Sequence, residues 1–171
     1  TSNTIGDMSC AVGYLALSLN TIGSFNSAFG FYALRNNSGS TSNNNAFGAY
    51  SLFSNKTGVQ NNAFGSAALR NNTSGIQNNA FGAGALQNNI TGTQNNAFGT
   101  FALYNNTSGI SNVAIGQSAL YNNTTGVSNI AVGSLALSDN TFGTYNTAIG
   151  YSALRYNTTG GNNVAIGLVA L

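Results

Sequence analysis

One phrase, Asn-x-Ala-(Phe/Ile/Val)-Gly-x-x-Ala-Leu-x-x-Asn-(Thr/Ser)-x-Gly, recurs ten times and fills the chain. The Gly that closes each Ala-apolar-Gly triplet falls at Gly13, Gly30, Gly48, Gly65, Gly82, Gly99, Gly116, Gly133, Gly150 and Gly167. The intervals are 17, then 18, then 17 seven times, so ten repeats and one insertion account for all 171 residues. A short fixed period means a solenoid, because one repeat can bury its apolar side only against its neighbours. The chain is expected to be a single repeat domain, 1–171, of ten coils: 1–17, 18–34, 35–52, 53–69, 70–86, 87–103, 104–120, 121–137, 138–154 and 155–171. The extra residue lies within 36–45 and predicts a bulge at a corner.

Residue types choose between helix and strand. Numbered from the triplet Gly, a second Gly recurs at +10, as in Gly58, Gly75, Gly92 and Gly109. Each interior Gly costs a helix about 1 kcal/mol, and Asn and Thr are poor helix formers. Short apolar pieces between Gly corners fit strands instead. The expectation is an all-β parallel β-solenoid, a β-roll, with two short strands per coil. At about 4.8 Å per coil it forms a rod of roughly 48 Å.

Three columns read as core. Position −1 is always large and apolar (Val12, Phe29, Phe47, Phe64, Phe81, Phe98, Ile115, Val132, Ile149, Ile166), and +4 is always Leu. Position +11 is often β-branched, as at Val59, Ile76 and Ile110. Positions −2 and +3 are almost always Ala, which marks a thin waist of the coil or a contact with another chain. Asn holds +7 without a break: Asn20, Asn37, Asn55, Asn72, Asn89, Asn106, Asn123, Asn140 and Asn157. It also holds the column before the triplet, from Asn26 to Asn163. A primary amide both donates and accepts, so stacked Asn forms ladders from coil to coil.

Chemistry is scarce. The chain has no His, one Cys and six charged residues. Asp7 and Asp139 are its only acids and sit eight coils apart, roughly 38 Å, whereas paired-carboxylate glycosidases need less than about 10 Å. No triad can form without His, and no metal-ligand spacing or phosphate loop is present. The reading is that the protein is not an enzyme and takes no cofactor or metal. Arg35, Lys56, Arg70 and Arg155 are scattered along the sequence, which argues against a nucleic-acid partner. No stretch approaches the ~20 apolar residues of a membrane-spanning helix. Cys10 reads as a packed small side chain.

Asn-x-(Ser/Thr) triplets make Asn55, Asn72, Asn89, Asn106, Asn123 and Asn157 candidate glycan acceptors, with Asn36, Asn71, Asn105 and Asn122 opening further triplets. The repeat itself generates the triplet, so a purely structural origin stands beside this one. Aromatic residues at +1, +2 and +5 (Tyr14, Phe31, Tyr32, Tyr50, Phe53, Phe101, Tyr104, Tyr121, Tyr151) vary between coils and suggest a contact surface or a wider part of the core.

The segments Asn112-Val113-Ala114-Ile115-Gly116, Asn129-Ile130-Ala131-Val132-Gly133, Asn146-Thr147-Ala148-Ile149-Gly150 and Asn163-Val164-Ala165-Ile166-Gly167 resemble the head repeats of trimeric autotransporter adhesins and related phage tail-fibre-like repeats. The resemblance implies a β-roll, three chains side by side, and binding to a host matrix or surface. The repeat here is longer, and the Asn-Asn-Thr-x-Gly corner departs from that pattern.

Coil ten ends in Leu168-Val169-Ala170-Leu171, without a polar cap. The expectation is a rod that continues beyond these residues or copies that stack end to end. The functional reading is a structural segment of an extracellular or cell-surface fibre, or of a virion fibre. A trimeric adhesin head or tail-fibre shaft is the alternative, and an ice-binding solenoid the second, prompted by Thr and Ser at +8 and +9 (Thr73, Ser74, Thr107, Ser108, Thr124, Thr125). The partners expected are other copies of the chain, and glycans or a cell surface.

Overall fold

The computed structural model describes residues 8–171. Over the described residues the chain is a parallel β-solenoid without helix. Its strands are β1 (Cys10–Val12), β2 (Ser27–Phe29), β3 (Asn45–Phe47), β4 (Asn62–Phe64), β5 (Asn79–Phe81), β6 (Asn96–Phe98), β7 (Val113–Ile115), β8 (Ile130–Val132), β9 (Thr147–Ile149) and β10 (Val164–Ile166). They form one ten-stranded parallel sheet in chain order. Equivalent residues pair throughout, as in Ala97 with Ala114 and Phe98 with Ile115. Nine steps of about 4.8 Å make the sheet roughly 43 Å long.

Each coil has one strand, not two. The second limb, +1 to +6, is a continuous run of turns. The cause is backbone handedness. The strand ends at a Gly with φ near +135°, for instance Gly99 at +141°. The residues at +2 and +4 are then left-handed, as in Phe101 (φ 57°) and Leu103 (φ 52°). An L-residue in this conformation costs roughly 1–2 kcal/mol. Coil-to-coil bonds offset the cost: the Phe101 N–H donates to Ala83 O at 3.0 Å and the Leu103 N–H to Ala119 O at 2.9 Å. This limb therefore stacks by hydrogen bonds of alternating direction without being a pleated strand.

The core is thin. It contains Ala at −2 (Ala97), Ala at +3 (Ala102) and Leu at +4 (Leu103), repeated coil after coil at 0% exposure through the middle of the rod. The Ala columns are thus the waist of the coil. Position −1 is not core, contrary to the sequence reading. In a three-residue strand whose centre points inward, both flanking residues point outward. Phe81 is 36% exposed and Ile115 42%. Position +11 is likewise outside, with Ile76 and Ile110 exposed.

The inserted residue falls at the corner between Asn37 and Asn44, as expected. Thr41 there is buried, and its carbonyl accepts from the Asn26 amide at 2.9 Å. That role belongs to the +10 Gly in other coils, so the extra residue is looped out while Ala28 still pairs with Ala46.

Candidate functional site

The two inner Asn columns complete the interior. Each +7 amide donates one hydrogen to the Oδ1 of the preceding coil at 2.7–3.0 Å. In most coils it gives the other to the Gly carbonyl at +10 of its own coil, as Asn106 does to Gly109 at 3.2 Å. In the column before the triplet, each Oδ1 receives two hydrogens from the next coil. Asn95 Oδ1 accepts the Asn112 backbone N–H and the Asn112 amide, both at 3.1 Å. The Asn95 amide reaches Gly109 O at 2.8 Å, so one carbonyl joins the two ladders. A methyl at Gly109 would meet the Gly126 carbonyl oxygen at 2.6 Å. Glycine at +10 is therefore set by the close approach of these groups.

These ladders decide where the candidate glycan acceptors lie. Asn55, Asn72, Asn89, Asn106 and Asn123 are fully buried. The nitrogen that would carry a sugar already donates twice, so the folded chain offers none of these five. Asn157 is partly exposed but still donates to Asn140 at 2.8 Å. The triplets that face outward are those of the neighbouring +6 column. Asn71, Asn88, Asn105 and Asn122 form a third, half-buried ladder there, with links of 2.8, 3.1 and 3.2 Å. A fourth ladder, Asn45–Asn62–Asn79–Asn96, runs on the outer face of the sheet with links of 2.8 Å. The sequence marks Asn71, Asn105 and Asn122 as triplet openings but not as a ladder, although the Asn of both outer columns recurs at the same 17-residue interval.

The outer sheet face is the most distinctive surface. The phenyl rings of Phe29, Phe47, Phe64, Phe81 and Phe98 stack at 4.7–5.0 Å, with planes within 8° of parallel. Val12 precedes them and Ile115, Val132, Ile149 and Ile166 follow, giving an apolar stripe along the whole sheet. Beside it, position −3 changes from the Asn ladder to Val113, Ile130, Thr147 and Val164. No charged residue occurs at −3, −1, +11 or +12 of any described coil. Cys10 belongs to this face as an exposed free thiol, not a packed one.

The opposite limb carries the aromatic residues and the arginines. Tyr14, Phe31, Tyr32, Tyr50 and Phe53 touch in a continuous group. Phe101, Tyr104 and Tyr121 form a second one. Tyr14 and Tyr151 are well exposed, so this is surface rather than widened core. At +8, Thr73, Thr107, Thr124 and Thr141 donate their hydroxyl protons to the +8 carbonyl of the next coil at 2.9–3.1 Å. Their hydroxyls are thus turned along the rod and engaged with the next coil.

Among the described residues no three His, Cys, Asp or Glu side chains gather into a possible metal site. Asp7 lies outside the described residues. Asp139 accepts a bond from Asn122 at 3.4 Å, at the end of the outer ladder. No described helix is long and apolar enough to cross a membrane. Compared with known proteins, the chain matches no family model, no curated sequence and no solved structure.

Proposed function

We propose that the chain is a structural segment of an extracellular fibre, and that its copies associate side by side through the outer sheet face. The observation that carries this reading is the unbroken stripe of Phe, Ile and Val on a face without charge. Depletion of charge around exposed aromatic and aliphatic residues characterises the centre of protein interfaces. Contiguous apolar surface of this extent is uncommon on a monomer. The stacked rings turn their edges outward, so they suit side-chain packing better than stacking against a flat ligand.

The face also carries direction. Its first half pairs Phe with Asn amides, and its second half is almost wholly aliphatic. Parallel copies in register set amide against amide and Ile against Ile. An antiparallel arrangement in full overlap would press Asn45 and Asn62 against Ile130 and Val113 and leave buried amide groups without partners. A trimeric adhesin head or tail-fibre shaft is the second reading, favoured by the same face, since three chains side by side would cover it. The deciding experiment is sedimentation of the native chain beside an Ile149→Glu variant. Association by the native chain and its loss in a still-folded variant support the reading. A monomeric native chain at every concentration removes it.

A further inference from the structure

Three cations scattered in the sequence fall within two coils of one another along the rod. Arg35, Lys56 and Arg70 fall in three successive coils, and both arginines occupy +5. Arg35 and Arg70 are two coils apart, about 9.6 Å along the axis. The Arg35 guanidinium lies 5.1 Å from the Tyr32 ring and 5.9 Å from Phe53, and Arg70 lies 5.2 Å from Tyr50. The three rings touch each other at 5.5–6.0 Å. Among the described residues no side-chain carboxylate lies close to this group. The one described side-chain carboxylate, Asp139, is four coils beyond Arg70, about 19 Å, which exceeds the ~10 Å screening length of ordinary salt. Arg35 Nε is buried without a hydrogen-bond partner, while Arg70 and Lys56 are exposed.

We propose that this patch binds an acidic polysaccharide, with its carboxylate or sulfate groups on Arg35, Lys56 and Arg70 and its sugar rings against Tyr32, Tyr50 and Phe53. Guanidinium groups resting on ring faces present their terminal N–H groups to an oxyanion. The aromatic side chains supply apolar contact between the charges. Cations spaced by whole coils match a polymer of sparse charge. A nucleic acid, charged at every residue, calls for a denser basic track. The inference goes beyond the fibre reading and uses a different surface, so the two fail independently.

The test is binding of the full chain to labelled hyaluronan (a carboxylate on alternate sugars), a sparsely sulfated dextran (sulfate), neutral dextran and single-stranded DNA. The expected result is binding to one or both acidic polysaccharides, none to dextran, and weaker binding to DNA. Which acidic polymer binds identifies the anionic group. A tenfold rise in salt should weaken binding by about a hundredfold, from a dependence of ~0.7 per neutralised charge and three charges. The Arg35→Gln/Arg70→Gln double variant should lose about tenfold, while Arg155→Gln, at the far end of the rod, should lose little. Circular dichroism checks that the double variant is folded, and Lys56→Gln, on an exposed side chain, carries the test if it is not. Absence of binding to both acidic polymers at low salt, an undiminished double variant, or preference for DNA would overturn the proposal.

Discussion

Replacing Asn106 by Ala removes three hydrogen bonds from the rod's interior. Asn106 donates to Asn89 Oδ1 at 2.8 Å and to Gly109 O at 3.2 Å, and accepts from Asn123 at 2.8 Å. Gly109 O keeps its bond from Asn95 at 2.8 Å. Asn89 Oδ1 and one N–H of Asn123 are left buried and unpaired, at about 1–3 kcal/mol each. The sum is about 4 kcal/mol, which for a chain of this size lowers the melting temperature by about 8–16 °C. The partner experiment is Asn122→Ala in the half-buried outer ladder, where water can replace the lost partner. That change should cost about 1 kcal/mol, or about 2–4 °C. Thermal melts followed by circular dichroism compare the two. Equal shifts for Asn106→Ala and Asn122→Ala would refute the argument that the +7 column is a sealed ladder.

Asn106→Asp keeps the shape but places a carboxyl where burial and the facing Asn89 oxygen hold it protonated, above the usual carboxylate range. Its folded state binds the proton more tightly than the unfolded one, so stability present at acid pH is lost as pH rises through that raised value; melts from about pH 4, the ordinary carboxyl value, up to about pH 8 read it. Leu103→Asp should collapse several coils, since it buries an unpaired charge in the stack, whereas Ile115→Asp, on the outer face, should keep the β-sheet signal and impair only association. If Leu103→Asp retained the native melt, the inward assignment of +4 would be wrong. Ile149→Glu should shift the sedimentation of the native assembly toward the monomer.

The repeat was legible because identical columns at a fixed interval admit few folds. The Gly at zero and +10, the Leu column and the inner Asn columns all read directly as corners, core and ladders. What misled was size. Large apolar residues at −1, such as Phe64 and Phe81, read as core because burial rewards them most. The coil is too thin to hold them, and Ala63 and Ala80 fill it instead. The Ala columns carried the signal that the interior is narrow. The second limb misled for another reason. Ala102-Leu103 looks like strand sequence, yet Leu103 is left-handed, a conformation that residue type alone disfavours and that stacking on the next coil secures. The Arg35–Lys56–Arg70 group was hidden because neighbours in a solenoid are one period apart, not adjacent in sequence.

The central claim is a single-stranded coil whose charge-free sheet face joins neighbouring copies. Electron cryo-microscopy of the native material, at a resolution that separates coils, tests it most directly. The account predicts rods with a rise of about 4.8 Å per coil, associated in parallel, with the Phe29–Phe98 stripe facing an adjacent copy. Isolated rods with that stripe turned to solvent, or copies joined through the Arg35–Arg70 limb, would contradict it.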